Sequence, residues 1–98
     1  MLRAPQAVSL AATGEGVLIF MQTFFVEIKC ALGRTYEVAS ALAEAEIASE
    51  IYSIAGDYDI LAKFYVESNV DIGHFVGHKV QVIPGIVDTR TMITFKAF

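Results

Sequence analysis

The run Ile54-Ala55-Gly56-Asp57-Tyr58-Asp59-Ile60-Leu61-Ala62-Lys63-Phe64-Tyr65-Val66-Glu67 reads as a turn followed by a strand. Gly56-Asp57 supplies turn chemistry, because glycine reaches positive φ without steric cost and aspartate bonds its own backbone. From Tyr58 to Glu67 the side chains alternate. Ile60, Ala62, Phe64 and Val66 fall on one side, and Asp59, Leu61, Lys63, Tyr65 and Glu67 on the other. Period two marks a strand with one apolar face. The preceding stretch, Glu46 to Ala55, carries the β-formers Ile47, Ile51, Tyr52 and Ile54. The two segments are expected to pair as a hairpin around Gly56.

Upstream, Gln22 to Ala31 sets Phe24, Val26, Ile28 and Cys30 against Thr23, Phe25, Glu27 and Lys29, a second strand. Gly33-Arg34-Thr35 breaks it. Thr35 is expected to cap a helix over Tyr36 to Ala45, with Val38, Ala39, Leu42 and Ala45 on one stripe. Downstream, Ser68-Asn69 opens a second helix, and Asp71 near its start suits the helix dipole. Its stripe is Ile72, Phe75, Val76, Val80 and Ile83, and Pro84-Gly85 ends it. Ile86 to Ala97 is the last strand, with Val87, Thr89, Thr91, Ile93 and Phe95 opposite Asp88, Arg90, Met92, Thr94 and Lys96. The order is βαββαβ. Two βαβ halves with right-handed crossovers predict an α+β, ferredoxin-like fold: a four-stranded antiparallel sheet with both helices on one face.

A chain of 98 residues makes one domain. A domain of that size hides only about 60–65% of its unfolded surface, so it gains by burying more against copies of itself. Hydrophobic residues are 55% and charged residues 18%, which excludes disorder and leaves surplus apolar surface for a partner. The sheet face away from the helices mixes Phe25, Leu61, Tyr65 and Met92 with Glu27, Lys29, Lys63, Arg90 and Lys96. Sheet-to-sheet pairing into a dimeric α/β barrel answers both facts. The other reading is a monomer whose sheet is half covered by the N-terminal segment.

Seven Lys and Arg against eleven Asp and Glu give a net charge of −4, with no basic stripe, so no nucleic-acid binding by this chain is expected. No apolar stretch approaches the ~20 residues of a membrane span. The one cysteine, Cys30, lies in an apolar run and reads as a buried small hydrophobe in a reducing cytoplasm. Residues 1–20 hold only Arg3 and Glu15 as charges, with Pro5, Gly14 and Gly16, and make a poor signal peptide. They are read as a loose extension, disordered or translated from a start upstream of a true start at Met21, ahead of a domain over residues 21–98.

The densest polar cluster is Gly56-Asp57-Tyr58-Asp59. As structure it is a hairpin turn. As a site, its N–H groups can hold a small anion and Asp59 can accept from an ammonium, which together match the two charged ends of a free amino acid. Asp57 and Asp59 alone make a poor calcium or magnesium site. His74 and His78, four apart, share one helix face and could serve a metal, but they fall on the watery side beside Asp71 and Gln81. No nucleophile beside a histidine and no phosphate loop is present, so no catalytic residue, cofactor or metal is assigned.

Ile54-Ala55-Gly56-Asp57-Tyr58-Asp59, and later Ile83-Pro84-Gly85-Ile86-Val87-Asp88-Thr89-Arg90-Thr91, resemble the effector-binding domain of the Lrp/AsnC (leucine-responsive/asparagine regulator) transcription factors, the RAM domain. The resemblance covers about Met21 to Phe98. It implies a non-catalytic amino-acid-sensing and oligomerisation domain that dimerises through its sheet, assembles further into octamers or similar rings, and binds amino acids where dimers meet. Gly56, Asp57, Tyr58 and Asp59 carry over as the pocket loop. Ser53 and Ile54, and Thr91, Met92, Ile93 and Thr94 of the final strand, are similar to positions that influence effector response. The family's helix-turn-helix is missing here, which implies a stand-alone version able to act through a full-length Lrp/AsnC partner. The alternative from another class is a small dimeric α/β-barrel enzyme, monooxygenase- or isomerase-like, which rests on fold analogy alone.

Overall fold

In the computed structural model, which describes residues 7–9 and 18–98, the chain runs β1 (Ala7–Ser9), β2 (Leu18–Cys30), α1 (Thr35–Ala45), β3 (Glu50–Ser53), β4 (Ile60–Glu67), α2 (Ile72–Phe75, continued by a π-helical turn over Val76–Val80) and β5 (Ile86–Ile93). β2 is central: β4 pairs with it from Met21↔Glu67 to Ile28↔Ile60, and β5 from Phe24↔Ile93 to Cys30↔Ile86. β3 adds outside β4, and every pairing is antiparallel. The order β3-β4-β2-β5 is the ferredoxin-like sheet that βαββαβ requires. β1 pairs with the first residues of β2, Ala7↔Phe20 to Ser9↔Leu18. β2 therefore crosses the boundary between residues 20 and 21 that the sequence suggested. The rest of the expected loose extension lies outside the described residues.

The alternation of β2 and β4 sends Phe24, Val26, Ile28, Ile60, Ala62 and Phe64 under the helices, where all are buried. Val38 and Leu42 of α1 and Val76 and Val80 of α2 close over them. Apart from Ala62, each such side chain contributes about 1.5–3 kcal/mol by leaving water. The centre of the core is aromatic: Phe24 and Phe64 stack with ring centroids 5.1 Å apart, and Phe75 meets both edge-on at 5.8 and 5.7 Å.

Several boundaries differ from the sequence reading, each for a local reason. α1 begins one residue early, and Arg34 rather than Thr35 holds the cap position, with no side-chain cap bond. The Arg34 side chain instead bonds Glu37. Glu46 adopts a left-handed conformation at φ 55° and ends α1, so Ile47 and Ala48 reach the core from a loop and β3 starts only at Glu50. α2 is capped by Asp71, whose carboxylate accepts from the His74 N–H at 3.0 Å. β5 stops at Ile93, although the Thr94 hydroxyl still donates to the Thr23 carbonyl at 2.8 Å. Lys96 lies beyond the strand and sits over Phe98, 5.3 Å from its ring centroid, instead of on the sheet face. A register shift at Lys29/Cys30 leaves Val87 without a partner and exposed.

Gly85, at φ 98°, lets the chain turn from α2 into β5 while its carbonyl accepts from the Ala31 N–H at 2.8 Å. A Cβ there would lie 3.0 Å from Val38 Cγ2 and 3.4 Å from Arg34 Cβ. Gly85→Ala is expected to cost about 2 kcal/mol from backbone strain and overpacking together. Urea unfolding would measure it, and an unchanged midpoint would contradict the argument.

Candidate functional site

The hairpin from β3 to β4 is closed at its base by the Ile54 N–H donating to the Asp59 carbonyl at 2.9 Å. Gly56 sits at its tip with φ 118°, a conformation that favours glycine. The base is locked to β2 by two further bonds. The Asp59 N–H donates to the Ile28 carbonyl at 2.9 Å, and the Cys30 N–H donates to Asp59 Oδ2 at 2.8 Å. Asp59 thus has a structural duty that the sequence did not reveal: one carboxylate oxygen ties the hairpin to the end of β2.

Ser53, Ile54 and Asp59 open onto a cleft of about 350 Å³, shared with Gly33, Thr35 and Tyr36 at the start of α1. Sequence reasoning did not single out those last three. The available signal was the Gly33-Arg34-Thr35 break, which puts the free N–H groups of a helix start beside a strand end. Thr35 faces inward rather than capping its helix. Burial pushes the Cys30 thiol above its ordinary value, a hydrogen bond with Thr35 partly offsets this, and the Asp59 charge adds to the rise.

Gly56, Asp57 and Tyr58 form the rim beside this cleft rather than its lining, and Gly56 and Asp57 are exposed. They are held from the other side of the sheet. Lys29 Nζ donates to the Asp57 carbonyl at 3.0 Å, and the Tyr58 hydroxyl donates to Asp88 Oδ2 at 3.3 Å. The Arg90 guanidinium lies 5.1 Å from the Tyr58 ring centroid and pairs with Glu27, Nε donating to Oε1 at 2.7 Å. Burial and the neighbouring Asp88 carboxylate push the Tyr58 phenol up, with Arg90 opposing. Glu27 raises the Arg90 guanidinium in turn.

The remaining sequence-selected residues are not brought to the hairpin within one chain. Thr91, Met92 and Ile93 pair with Val26, Phe25 and Phe24, while Ile60 at the hairpin base pairs with Ile28. Ile93 is therefore displaced along β2 by four residues, roughly 13 Å, and Thr94 lies beyond it against Thr23. Thr91 faces the helices with Val26, whereas Met92 faces outward with Phe25. His74 and His78 stack with ring centroids 3.9 Å apart on the exposed side of α2. Among the described residues no group of three His, Cys, Asp or Glu is placed to hold a metal. No helix among them is long and apolar enough to cross a membrane.

Residues 23–98 match the family described as the Lrp/AsnC ligand binding domain. The chain is similar to the HTH-type transcriptional regulator FL11 of Pyrococcus abyssi, 36% identical over 72 residues, which are 74% of this chain and 47% of that protein. It thus spans about half the length of the curated relatives it matches. Among solved structures, TTHA0845 from Thermus thermophilus superposes with a TM-score of 0.71 at 27% identity, over 79% of this chain and 96% of that one. The hypothetical protein PHS023 from Pyrococcus horikoshii gives 0.67 at 30% identity, over 76% and 89%. A ligand-binding family and relatives named as transcriptional regulators set the enzyme alternative aside. The matched family and the βαββαβ sheet agree: this chain belongs to the Lrp/AsnC ligand-binding domain family.

Proposed function

We propose that the chain senses a free amino acid in the cleft between the β3–β4 hairpin and the start of α1. The observation that carries this reading is that Asp59 and the first turn of α1 open on one space. Asp59 keeps acceptor capacity beyond the Cys30 N–H and takes the ligand's ammonium. The N–H groups of the first turn of α1 have no partner inside the helix and take its carboxylate. Ser53, Ile54 and Tyr36 meet the side chain. A volume of about 350 Å³ suits a small molecule. The Gly56-Asp57-Tyr58 rim and Thr91, Met92, Ile93 and Thr94 meet only across protomers, so an assembly of dimers, an octamer or a similar ring, completes the pocket.

The outer sheet face supports the dimer. Phe25 and Tyr65 flank Lys63, whose ammonium lies 5.9 and 5.1 Å from their rings, and Met92 stands opposite Phe25 on the same face. That face pairs with its copy. The protein works in the cytoplasm without touching DNA itself, which its net charge of −4 disfavours, and can join a full-length Lrp/AsnC regulator.

Calorimetry with a panel of amino acids tests the reading, each compared with its matching amine and its matching deaminated acid. At least one amino acid is expected to bind, and its two one-charge analogues to bind at least tenfold more weakly. No binder in the panel, or an amine that binds as well as its amino acid, would overturn it.

A further inference from the structure

We propose that Arg90, with Asp88 and Lys29, is a positioning residue that holds the Gly56-Asp57-Tyr58 rim for the effector. Effector affinity is thereby set from the opposite face of the sheet. The inference rests on the amino-acid reading above for what the rim does, and on geometry alone for what holds it.

The rim has little support of its own. Gly56 and Asp57 are exposed, and a Cβ built on Gly56 meets nothing within 4 Å. What fixes it comes from two strands distant in sequence. Lys29 of β2 holds the Asp57 carbonyl. Asp88 and Arg90 of β5 hold Tyr58 by its hydroxyl and by its ring. The β2–β5 register puts Lys29 opposite Asp88 and Glu27 opposite Arg90, so all four side chains stand on one face. Glu27 anchors the set. Its side chain is only 17% exposed, against 62% for Arg90, and it fixes the guanidinium that Tyr58 rests on. An arginine stacked on a tyrosine is steered by the ring as well as by charge, so lysine cannot replace it in full.

The chain of contacts runs Glu27–Arg90–Tyr58 from mid-sheet to the hairpin tip, and Tyr58 directly precedes Asp59. A rim that is ordered before the ligand arrives spares the ligand the entropy of ordering it, so loosening the rim lowers affinity. By linkage, anything that tightens Glu27–Arg90 on the outer face also favours the effector.

Hydrogen exchange and calorimetry on the intact chain test this with Arg90→Met, Arg90→Lys, Tyr58→Phe and the wild type. Arg90→Met is expected to speed amide exchange at Asp57, Tyr58 and Asp59 by roughly two- to fivefold, the size of an exposed cation–π contact. Exchange in Phe64–Val66 and α1 stays unchanged. The same variant weakens the amino acid that binds the wild type by a similar factor. Arg90→Lys is intermediate, because the pairing with Glu27 survives and the stacking does not. Tyr58→Phe removes the Asp88 bond and keeps the ring, with a smaller effect. Unchanged exchange at the rim, equal acceleration throughout the chain, or faster exchange with unchanged affinity would each overturn the proposal. If no amino acid binds the wild type, the amino-acid reading falls with it, and the exchange data alone decide whether Arg90 holds the rim.

Discussion

Phe24→Ala is expected to remove about 3–5 kcal/mol of stability, the top of the range for a single core truncation. Phe24 has no exposed surface, stacks on Phe64 at 5.1 Å and meets Phe75 edge-on. It also stands at mid-β2, paired with Phe64 on one flank and Ile93 on the other. Its removal costs the transfer energy of the ring, the aromatic contacts and the cavity left behind. The cavity closes poorly, because rigid strands flank it on both sides. A domain of this size has about 5–15 kcal/mol in total, so the variant should unfold at much lower urea or near room temperature. A midpoint shift worth under about 1 kcal/mol would mean that the three rings do not form the centre of the core.

The second large effect separates the two duties of Asp59. Asp59→Ala leaves the Cys30 N–H without its acceptor in a half-buried place, a loss of about 1–3 kcal/mol. It also removes the carboxylate proposed for the ammonium, which should weaken effector binding by about 2 kcal/mol, or roughly thirtyfold. Asp59→Asn keeps an oxygen for Cys30 and drops the charge. Stability should then return to within about 1 kcal/mol of the wild type while binding stays weak. Denaturation and calorimetry on the two variants give independent answers. An Asp59→Asn chain that binds as tightly as the wild type would remove Asp59 from the ligand site and leave it as the hairpin's tie alone.

The strands were legible because their pattern is local. Ile60, Ala62, Phe64 and Val66 alternate without interruption, and all four are buried. The βαββαβ order followed from such patterns, and the matched family agrees. Ends were less legible because they are set by competing local bonds. Thr35 has the composition of a cap, yet Arg34 holds that position and Thr35 lines the cleft, and Glu46 stops a helix by a left-handed conformation no pattern announces. The lining of the candidate cleft was half legible. Ser53, Ile54 and Asp59 line the cleft, whereas Gly33, Thr35 and Tyr36 join them only because the start of α1 converges on the end of β3. Glu27 and Arg90 are 63 residues apart, and only the β2–β5 register makes them neighbours.

The widened turn at Val76–Val80 bears on the lengths of chain this helix can carry. A π turn holds one residue more than an α turn. Val76 and Val80 are both buried across it, followed by Ile83. In a regular helix a one-residue deletion swings every later side chain by about 100°. Here the same deletion, at Gly77 for instance, is expected to relax the bulge into ordinary coiling and to leave the valine pair facing inward at a spacing of three. The segment is thus a built-in slack link, able to give up one residue without turning the helix's greasy side to water.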